Sequence, residues 1–418
     1  MWWLYQAAMA GALLLAGPFL LIWRGRHYLE TLSGRLGGGS SAVRPGALWI
    51  HAVSVGEVGV AATLARALPA DIPLVVTTVT PTGQARARAA LAGRAEVAYL
   101  PFDLGFAIRR FWRRFEPRAL VLVEGDFWPL VLRTAKRRGL PIVVVNGRVS
   151  DRGVSRLDRL GALRRPLLGP VDRFAVQTAG DRDRLAALGV PAERIVVTGN
   201  VKYDIPAPSA APDLLALVER LAGERPVLIA GSTMGGEEEQ VLAAFAAAGG
   251  GDAALLVLAP RHPERWDAVE ALVRAAGFAV RRRSAGPGPE TERPAVVLLD
   301  SMGELAGLYA AARGAFVGGT LVSTGGHNPI EPARFGIAVA AGPAMENFRE
   351  IAEQFDDARA WRRVASAAEL GEVFAEWLRE PARAHELGAR AAALVDSNRG
   401  ALERTLALLA PYLRGNAA

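Results

Sequence analysis

The sequence predicts two doubly wound α/β domains, each a parallel sheet with helices on both faces, behind an apolar N-terminal helix. Three observations predict it. Short buried-strand patterns alternate with Ala-, Leu- and Arg-rich helical stretches in two successive series. A Pro-rich interruption at 205–213 separates the series. The first 23 residues carry no charged side chain. With 418 residues, 51% of them apolar, the chain has material for two cores.

As a helix, residues 1–23 reach roughly 34 Å, enough for a bilayer core. Trp2, Trp3 and Trp23 sit at its ends, where interfacial aromatics belong. Arg24, Arg26, His27 and Arg35 follow, and no Lys or Arg precedes. The positive-inside rule then puts the following chain in the cytoplasm. A cleaved signal peptide would carry charge before the apolar run and a small-residue cleavage site. A membrane-anchor helix with its juxtamembrane segment is therefore expected over 1–36. The competing expectation is a hydrophobic helix packed on the protein itself. Gly37-Gly38-Gly39-Ser40-Ser41 reads as a flexible break.

The first α/β domain is expected over 42–204, with strands at 47–53, 74–78, 97–100, 120–123, 142–146, 173–176 and 195–197. Residues 205–213 read as a linker. The second domain is expected over 214–413, with strands at 227–230, 254–259, 278–281, 296–299, 314–317 and 337–340 and a mostly helical tail from 366. Open α/β sheets bind ligands at their strand C-termini, so two such edges facing each other would enclose a cleft.

Composition narrows the function. The net charge of +7 favours acidic partners such as anionic lipid headgroups or phosphosugars. Aromatics make up 7%, with no aromatic-basic ladder, so nucleic acid is not an expected partner. The absence of Cys rules out disulfides and thiolate metal sites. No Walker-type Gly-Lys-Ser or Gly-Lys-Thr occurs, no Gly-x-Gly-x-x-Gly follows the first strand, and no zinc spacing is present. Residues 106–115 interleave Phe and Trp with Arg at helical spacing. They suit an anionic membrane interface, or equally a helix with its aromatics in the core.

The strand ends carry the chemistry. After the strand at 314–317 comes a loop holding Gly318, Gly319, Gly325 and Gly326, then His327-Asn328-Pro329. Asn caps helices and Pro suits their first position, so a helix is expected near Pro329. Bare backbone N–H groups and the helix dipole would then form an anion site. Glu331, in the first turn, could accept from ribose hydroxyls. Phosphate cradle plus ribose acceptor suggests a nucleotide-linked donor. The plainer alternative is a Gly-rich turn with a capping Asn. Arg261 suits a phosphate or carboxylate, with His262 beside it. Gly231-Ser232-Thr233 ends a strand, and Glu237 and Glu238 open the next helix. Asp300 or Ser301 is placed to cap another.

In the first domain, Ser54-Val55-Gly56-Glu57 makes a tight turn into a helix and brings a carboxylate to the strand end. Glu57 there fits a general base for a sugar hydroxyl, or a first-turn Glu favoured by the helix dipole. Glu124 and Asp126 follow another strand and suit hydroxyls, a basic acceptor group or a helix cap. Arg148 and Ser150 lie in a further strand-end loop. Lys202 could reach a phosphate or carboxylate across the cleft, or be a solvated surface Lys.

Five motifs in order carry a resemblance: Ser54-Val55-Gly56-Glu57; Gly199-Asn200-x-Lys202-x-Asp204; Pro260-Arg261-His262-Pro263-Glu264-Arg265; Asp300-x-Met302-Gly303-Glu304-Leu305; and Gly325-Gly326-His327-Asn328-Pro329-x-Glu331-Pro332-Ala333. Over nearly its whole length the chain resembles the 3-deoxy-D-manno-octulosonic acid (Kdo) transferases of lipopolysaccharide assembly. The resemblance implies two Rossmann-like domains facing a cleft, the glycosyltransferase B arrangement. It implies transfer of Kdo from CMP-Kdo to the glucosamine disaccharide of a lipid A precursor of the lipid IVA type. Transfer would invert the anomeric centre without an essential metal or cofactor beyond the donor substrate. Glu57 would be the general base. Arg261, His262, Met302, Gly303, Glu304, Gly326, Asn328 and Glu331 would contact the donor, with Ser232 along the cleft. Ser54, Gly56, Glu124, Asp126, Arg148 and Lys202 would line the acceptor side or the cleft. The enzyme would work at the anionic cytoplasmic face of the inner membrane. Two loops depart from the family pattern. Glu124-Gly125-Asp126-Phe127-Trp128-Pro129-Leu130 stands for Glu-x-Glu-Leu-Trp-Pro-Asn, and Asn146-Gly147-Arg148-Val149-Ser150 for Asn-Ala-Arg-x-Ser. Another inverting transferase, a nucleotide-sugar epimerase or a tethered binding protein that lost catalysis are the competing readings.

Overall fold

A computed structural model describes residues 2–413 except 25, 40–42, 287 and 290–292; the side chains of 16–24, 26–28, 30, 151, 152, 162 and 163 lie outside the description. The chain forms two compact units, Met1–Ile205 with Asn398–Ala418, and Pro206–Ser397.

The first unit is built on a seven-stranded sheet of β1 (Leu48–His51), β2 (Leu74–Thr78), β3 (Glu96–Tyr99), β4 (Ala119–Val123), β5 (Ile142–Gly147), β6 (Arg173–Val176) and β7 (Ile195–Val197). Its order is β3-β2-β1-β4-β5-β6-β7, and every pairing is parallel. Both faces are covered, so the strands are near-continuous apolar runs. Trp49, Leu120, Leu122 and Val144 enter the core on one face. Leu48, Ile50, Val121 and Val145 enter the core on the other. Each buried aliphatic side chain contributes about 1.5–3 kcal/mol, which makes these short strands strongly specified. Chain order reverses between β1 and β4, the place where an open sheet leaves a crevice at its carboxyl edge.

The second unit repeats the plan with β8 (Val227–Thr233), β9 (Leu255–Pro260), β10 (Val280–Arg282), β11 (Val296–Leu298), β12 (Gly314–Val317), β13 (Ala338–Ala341) and β14 (Arg362–Arg363). The order is β10-β11-β9-β8-β12-β13-β14, again all parallel, with its reversal between β8 and β12. The edge strand β14 has no counterpart among the strands expected from sequence. It is two exposed arginines with no apolar signal.

Two expectations change. The second domain does not run to 413. The last helix, Ala401–Leu413, belongs to the first unit, where Ala401 and Leu409 join the core beside β1 and β4. Asp204 fixes its start by accepting from the N–H groups of Gly400 and Leu402, both at 2.7 Å. Of the break expected at 37–41, Ser40 and Ser41 lie outside the described residues, and Gly37 to Gly39 are not loose. They lie against the helix Gly105–Phe115, where a Cβ on Gly37 would sit 2.3 Å from the Ala107 carbonyl oxygen. Arg114 donates to the Gly38 carbonyl at 2.7 Å. In that same helix Phe111, Trp112 and Phe115 are core residues, with Phe111 centred 4.5 Å from Trp49, while Phe106, Arg109, Arg110 and Arg113 are exposed.

The N-terminal helix is Trp2–Arg24. Among the described residues no helix is long and apolar enough to cross a membrane. The flank expected at Trp23, Arg24, Arg26 and His27 lies outside the described side chains. The helix's first turns dock on the first unit. Tyr5 donates to Asp103 at 2.7 Å, Gln6 accepts from Gly105 N–H at 3.1 Å, and Arg133 stacks over Trp2. Trp3, Leu4, Leu14 and Leu15 on the opposite stripe are exposed.

Candidate functional site

In the first unit, side chains gather at the ends of β1, β4 and β5, which are neighbours in the sheet. Ser54 and Glu57 form a capping box on the helix Val55–Ala67. Ser54 Oγ accepts from Glu57 N–H at 3.3 Å. Glu57 in turn accepts from Val53 N–H at 2.8 Å and Ser54 N–H at 3.3 Å. Burial raises the Glu57 carboxyl above the ordinary carboxylate range. The Val53 bond opposes it, the nearby Glu124 charge adds to it, and Ser54 and His51 oppose it further. A carboxylate so placed is a stronger base than a free one.

Glu124 sits in the left-handed region at φ 61°, followed by Gly125 at φ 109°. This turn carries its carboxylate to Lys202, whose Nζ donates at 2.6 Å, and to Asn146 Nδ2 at 3.3 Å. Asn146, itself at φ 54°, accepts from Val201 N–H at 2.8 Å and so ties β5 to the Lys202 turn. Lys202 is thus an ion-paired cation rather than a solvated one.

Asp126 accepts from Trp128 Nε1 at 2.7 Å and lies 3.2 Å from His51 Nε2. Its burial would raise the carboxyl, but the His51 and Trp128 bonds outweigh that and leave it below the usual range. An ionised Asp126 requires a proton on His51 Nε2. His51 is buried at the end of β1, with Nδ1 2.9 Å from Thr77 Oγ1, which accepts from Trp49 Nε1 at 2.8 Å.

In the second unit the polar residues lie at the ends of β9, β8 and β12, again neighbours, with a further group after β11. Ser232, at φ 58°, breaks the register of β8 between Gly231 and Thr233 and lies so close to the end of β12 that a Cβ on Gly318 would sit 2.4 Å from the Ser232 carbonyl oxygen. Arg261 is anchored by its backbone N–H to Thr233 O at 2.9 Å. His327 lies near Arg261 and His262. Burial first, then those two neighbours, pushes its pKa down to about 4, so it is neutral at physiological pH. Asn328 accepts from Ile330 N–H at 3.2 Å.

The anion cradle expected in the Gly-rich loop differs from expectation in two ways. The helix after Pro329 is a single turn, Ile330–Ala333, with little dipole. The N–H groups of Gly319, Thr320 and Leu321 are already bonded to Glu237. Nor does Asp300 cap a following helix. It accepts instead from Ser284, at 2.8 Å from its backbone N–H. Met302 is exposed beside Gly303 at φ 89°. Glu304 accepts from Ser301 and from Arg283, the latter at 3.1 Å.

Comparison with known proteins places this geometry. The family model for 3-deoxy-D-manno-octulosonic-acid transferases (kdotransferases) matches residues 30–205. The 3-deoxy-D-manno-octulosonic acid transferase of Haemophilus influenzae is 36% identical over 100% of both chains. That of Bordetella pertussis is 36% identical over 98% of this chain and 99% of its own. This chain belongs to the Kdo transferase family. It is a glycosyltransferase. A UDP-GlcNAc 2-epimerase from Neisseria meningitidis bound to UDP-GlcNAc is 12% identical, covers 86% of this chain and 100% of its own, and superposes with a TM-score of 0.59. That likeness extends to the fold alone.

Within the Kdo transferase, Glu57, Glu124, Asp126 and Lys202 come together in the first unit, with Ser54 and Gly56 in the same turn and Arg148 on the β5 loop. Ser232, Arg261, His262, Gly326, Asn328 and Glu331 share one sheet edge of the second. Met302, Gly303 and Glu304 lie beyond them after β11. Two residues gave no functional signal in the sequence. His51 ends a strand and looks like core. Glu237 stands in a run of three Glu at 237–239 that reads as an acidic helix start, with nothing to mark it as fully buried.

Proposed function

We propose that this Kdo transferase moves Kdo from CMP-Kdo to a lipid A precursor of the lipid IVA type, inverting the anomeric centre and using no metal. The observation that carries the proposal is the full-length likeness to two transferases of that name together with a carboxylate of raised basicity at the β1–β4 reversal. Glu57 takes the proton of the acceptor hydroxyl. The freed oxygen bonds to the anomeric carbon as the bond from that carbon to the CMP phosphate oxygen breaks, and the electron pair leaves with CMP. Arg261 and His262 stabilise the phosphate as its charge grows. The neutral His327 beside them adds no competing cation. Asp126 and the Glu124–Lys202 pair orient the acceptor sugar.

The enzyme works at the cytoplasmic face of the inner membrane. Its N-terminal helix lies along that surface, the docked turn at Tyr5 and Gln6 held by the protein and the stripe of Trp3, Leu4, Leu14 and Leu15 turned to lipid. Exposed Arg109, Arg110 and Arg113 suit anionic headgroups. Incubation of the purified chain with CMP-Kdo and a tetra-acylated lipid A precursor, read by mass, should give a product heavier by Kdo. Turnover of uridine nucleotide sugars but not CMP-Kdo would reject the donor assignment.

A further inference from the structure

Glu237 is a fully buried carboxylate with an unusual set of partners. Oε2 accepts from Gly319 N–H at 2.6 Å and Met234 N–H at 2.9 Å. Oε1 accepts from Thr320 and Leu321 N–H groups, both at 2.8 Å. Three consecutive amides of the β12 loop converge on one side chain of the β8 loop. Such a row of N–H groups ordinarily forms an anion-binding concavity. Here the protein fills it with its own anion.

The clamp reaches further along the loop through Gly319. The Gly319 carbonyl accepts from Gly326 N–H at 2.8 Å and from Thr324 Oγ1 at 3.0 Å. A Cβ on Gly319 would lie 3.0 Å from the His327 ring. Thr320 locks the other side, donating to Val317 O at 2.6 Å and accepting from Gly342 N–H at 2.8 Å. The path from Glu237 to Asn328 is therefore two hydrogen bonds and two residues of backbone.

We infer that Glu237 is a positioning residue for the donor half of the site, setting the 319–328 loop in its binding conformation before the nucleotide arrives. The inference rests on the donor reading of that loop. A preset loop has no ordering cost left at binding, so Glu237 acts on donor affinity rather than on the chemical step. With the row occupied, the donor phosphate falls to Arg261 and His262.

Two variants test it. In Glu237→Gln the amide NH2 replaces one acceptor and confronts N–H donors. In Glu237→Asp both acceptors remain, drawn back by one methylene. Donor KM and CMP affinity should weaken at least tenfold in Glu237→Gln and by a smaller factor in Glu237→Asp. Acceptor KM should stay within twofold. If Glu237→Gln does not fold, a rise in donor KM at constant acceptor KM in Glu237→Asp supports the inference by itself. Both variants binding CMP as the wild type does, or a fall in kcat with both KM values unchanged, would overturn the inference alone. Wild-type protein that neither binds CMP nor consumes CMP-Kdo would overturn the donor reading and this inference with it.

Discussion

Replacing Glu57 with Gln should separate catalysis from stability. The amide cannot take a proton from the acceptor hydroxyl, and a positioned general base contributes typically about 10²–10⁴-fold. That is roughly 2.7–5.4 kcal/mol of transition-state stabilisation lost. The fold should hardly notice. Gln keeps one oxygen for Val53 N–H, and weakening such a cap costs about 1 kcal/mol or less. Against that, the substitution relieves a carboxylate whose raised pKa means that its ionised form is disfavoured in the native state. The sign follows from linkage. A group with its folded pKa raised stabilises the fold while protonated, below its unfolded pKa, and loses that contribution as pH rises through the folded value. At neutral pH ionised Glu57 therefore burdens the fold, and the Gln variant should melt within a few degrees of the wild type or above it. Initial rates with CMP-Kdo and acceptor, CMP affinity by calorimetry and a melting curve make the assay. The expected result is turnover down at least a hundredfold with CMP affinity unchanged. Turnover within threefold of the wild type would refute the base assignment. A matching collapse in melting temperature would show that Glu57 is only a cap.

Lys202→Met should destabilise the first unit by about 1–3 kcal/mol in urea unfolding, because the Glu124 carboxylate, mostly shielded from water, loses its 2.6 Å partner. Adding Glu124→Gln should recover part of it. In His51→Phe the Asp126 carboxyl should titrate higher than in the wild type, read by carbonyl NMR. Asp126 is depressed in the folded state, so its stabilising contribution is present above its unfolded pKa and lost as pH falls below about 4. The variant should show less of that acid loss. Leu14→Glu with Leu15→Glu, on the exposed stripe, should leave stability within about 0.5 kcal/mol per site. Co-sedimentation with vesicles containing anionic lipid should fall at least tenfold; unchanged binding would exclude that stripe from the lipid contact.

The strands were legible because a parallel sheet covered on both faces needs unbroken apolar runs, and 74–78 or 142–146 can hardly be anything else. The carboxylates at their ends were legible because strand termini in such sheets are where polar residues gather. Long-range partners left no local trace. That Asp204 caps a helix nearly two hundred residues on, or that Glu237 satisfies three amides beyond 318, depends on which loops the fold brings together. Glu57 shows how two meanings can share one residue. The capping box and the candidate base are the same carboxylate, and its spacing to Ser54 announces only the first. The glycines at 37–39 misled for the opposite reason, since close packing and looseness both call for the smallest side chain.

The return of the last helix to the first unit makes the second unit an insertion. The polypeptide crosses from one to the other after Ile205 and again after Ser397. A protease cut in the 205–213 stretch would leave both pieces joined through the buried face of 401–413. For dissection, 206–397 is a self-contained fragment to express. The complementary half needs its detached C-terminal piece, which would have to be spliced back through a short artificial joint after Ile205.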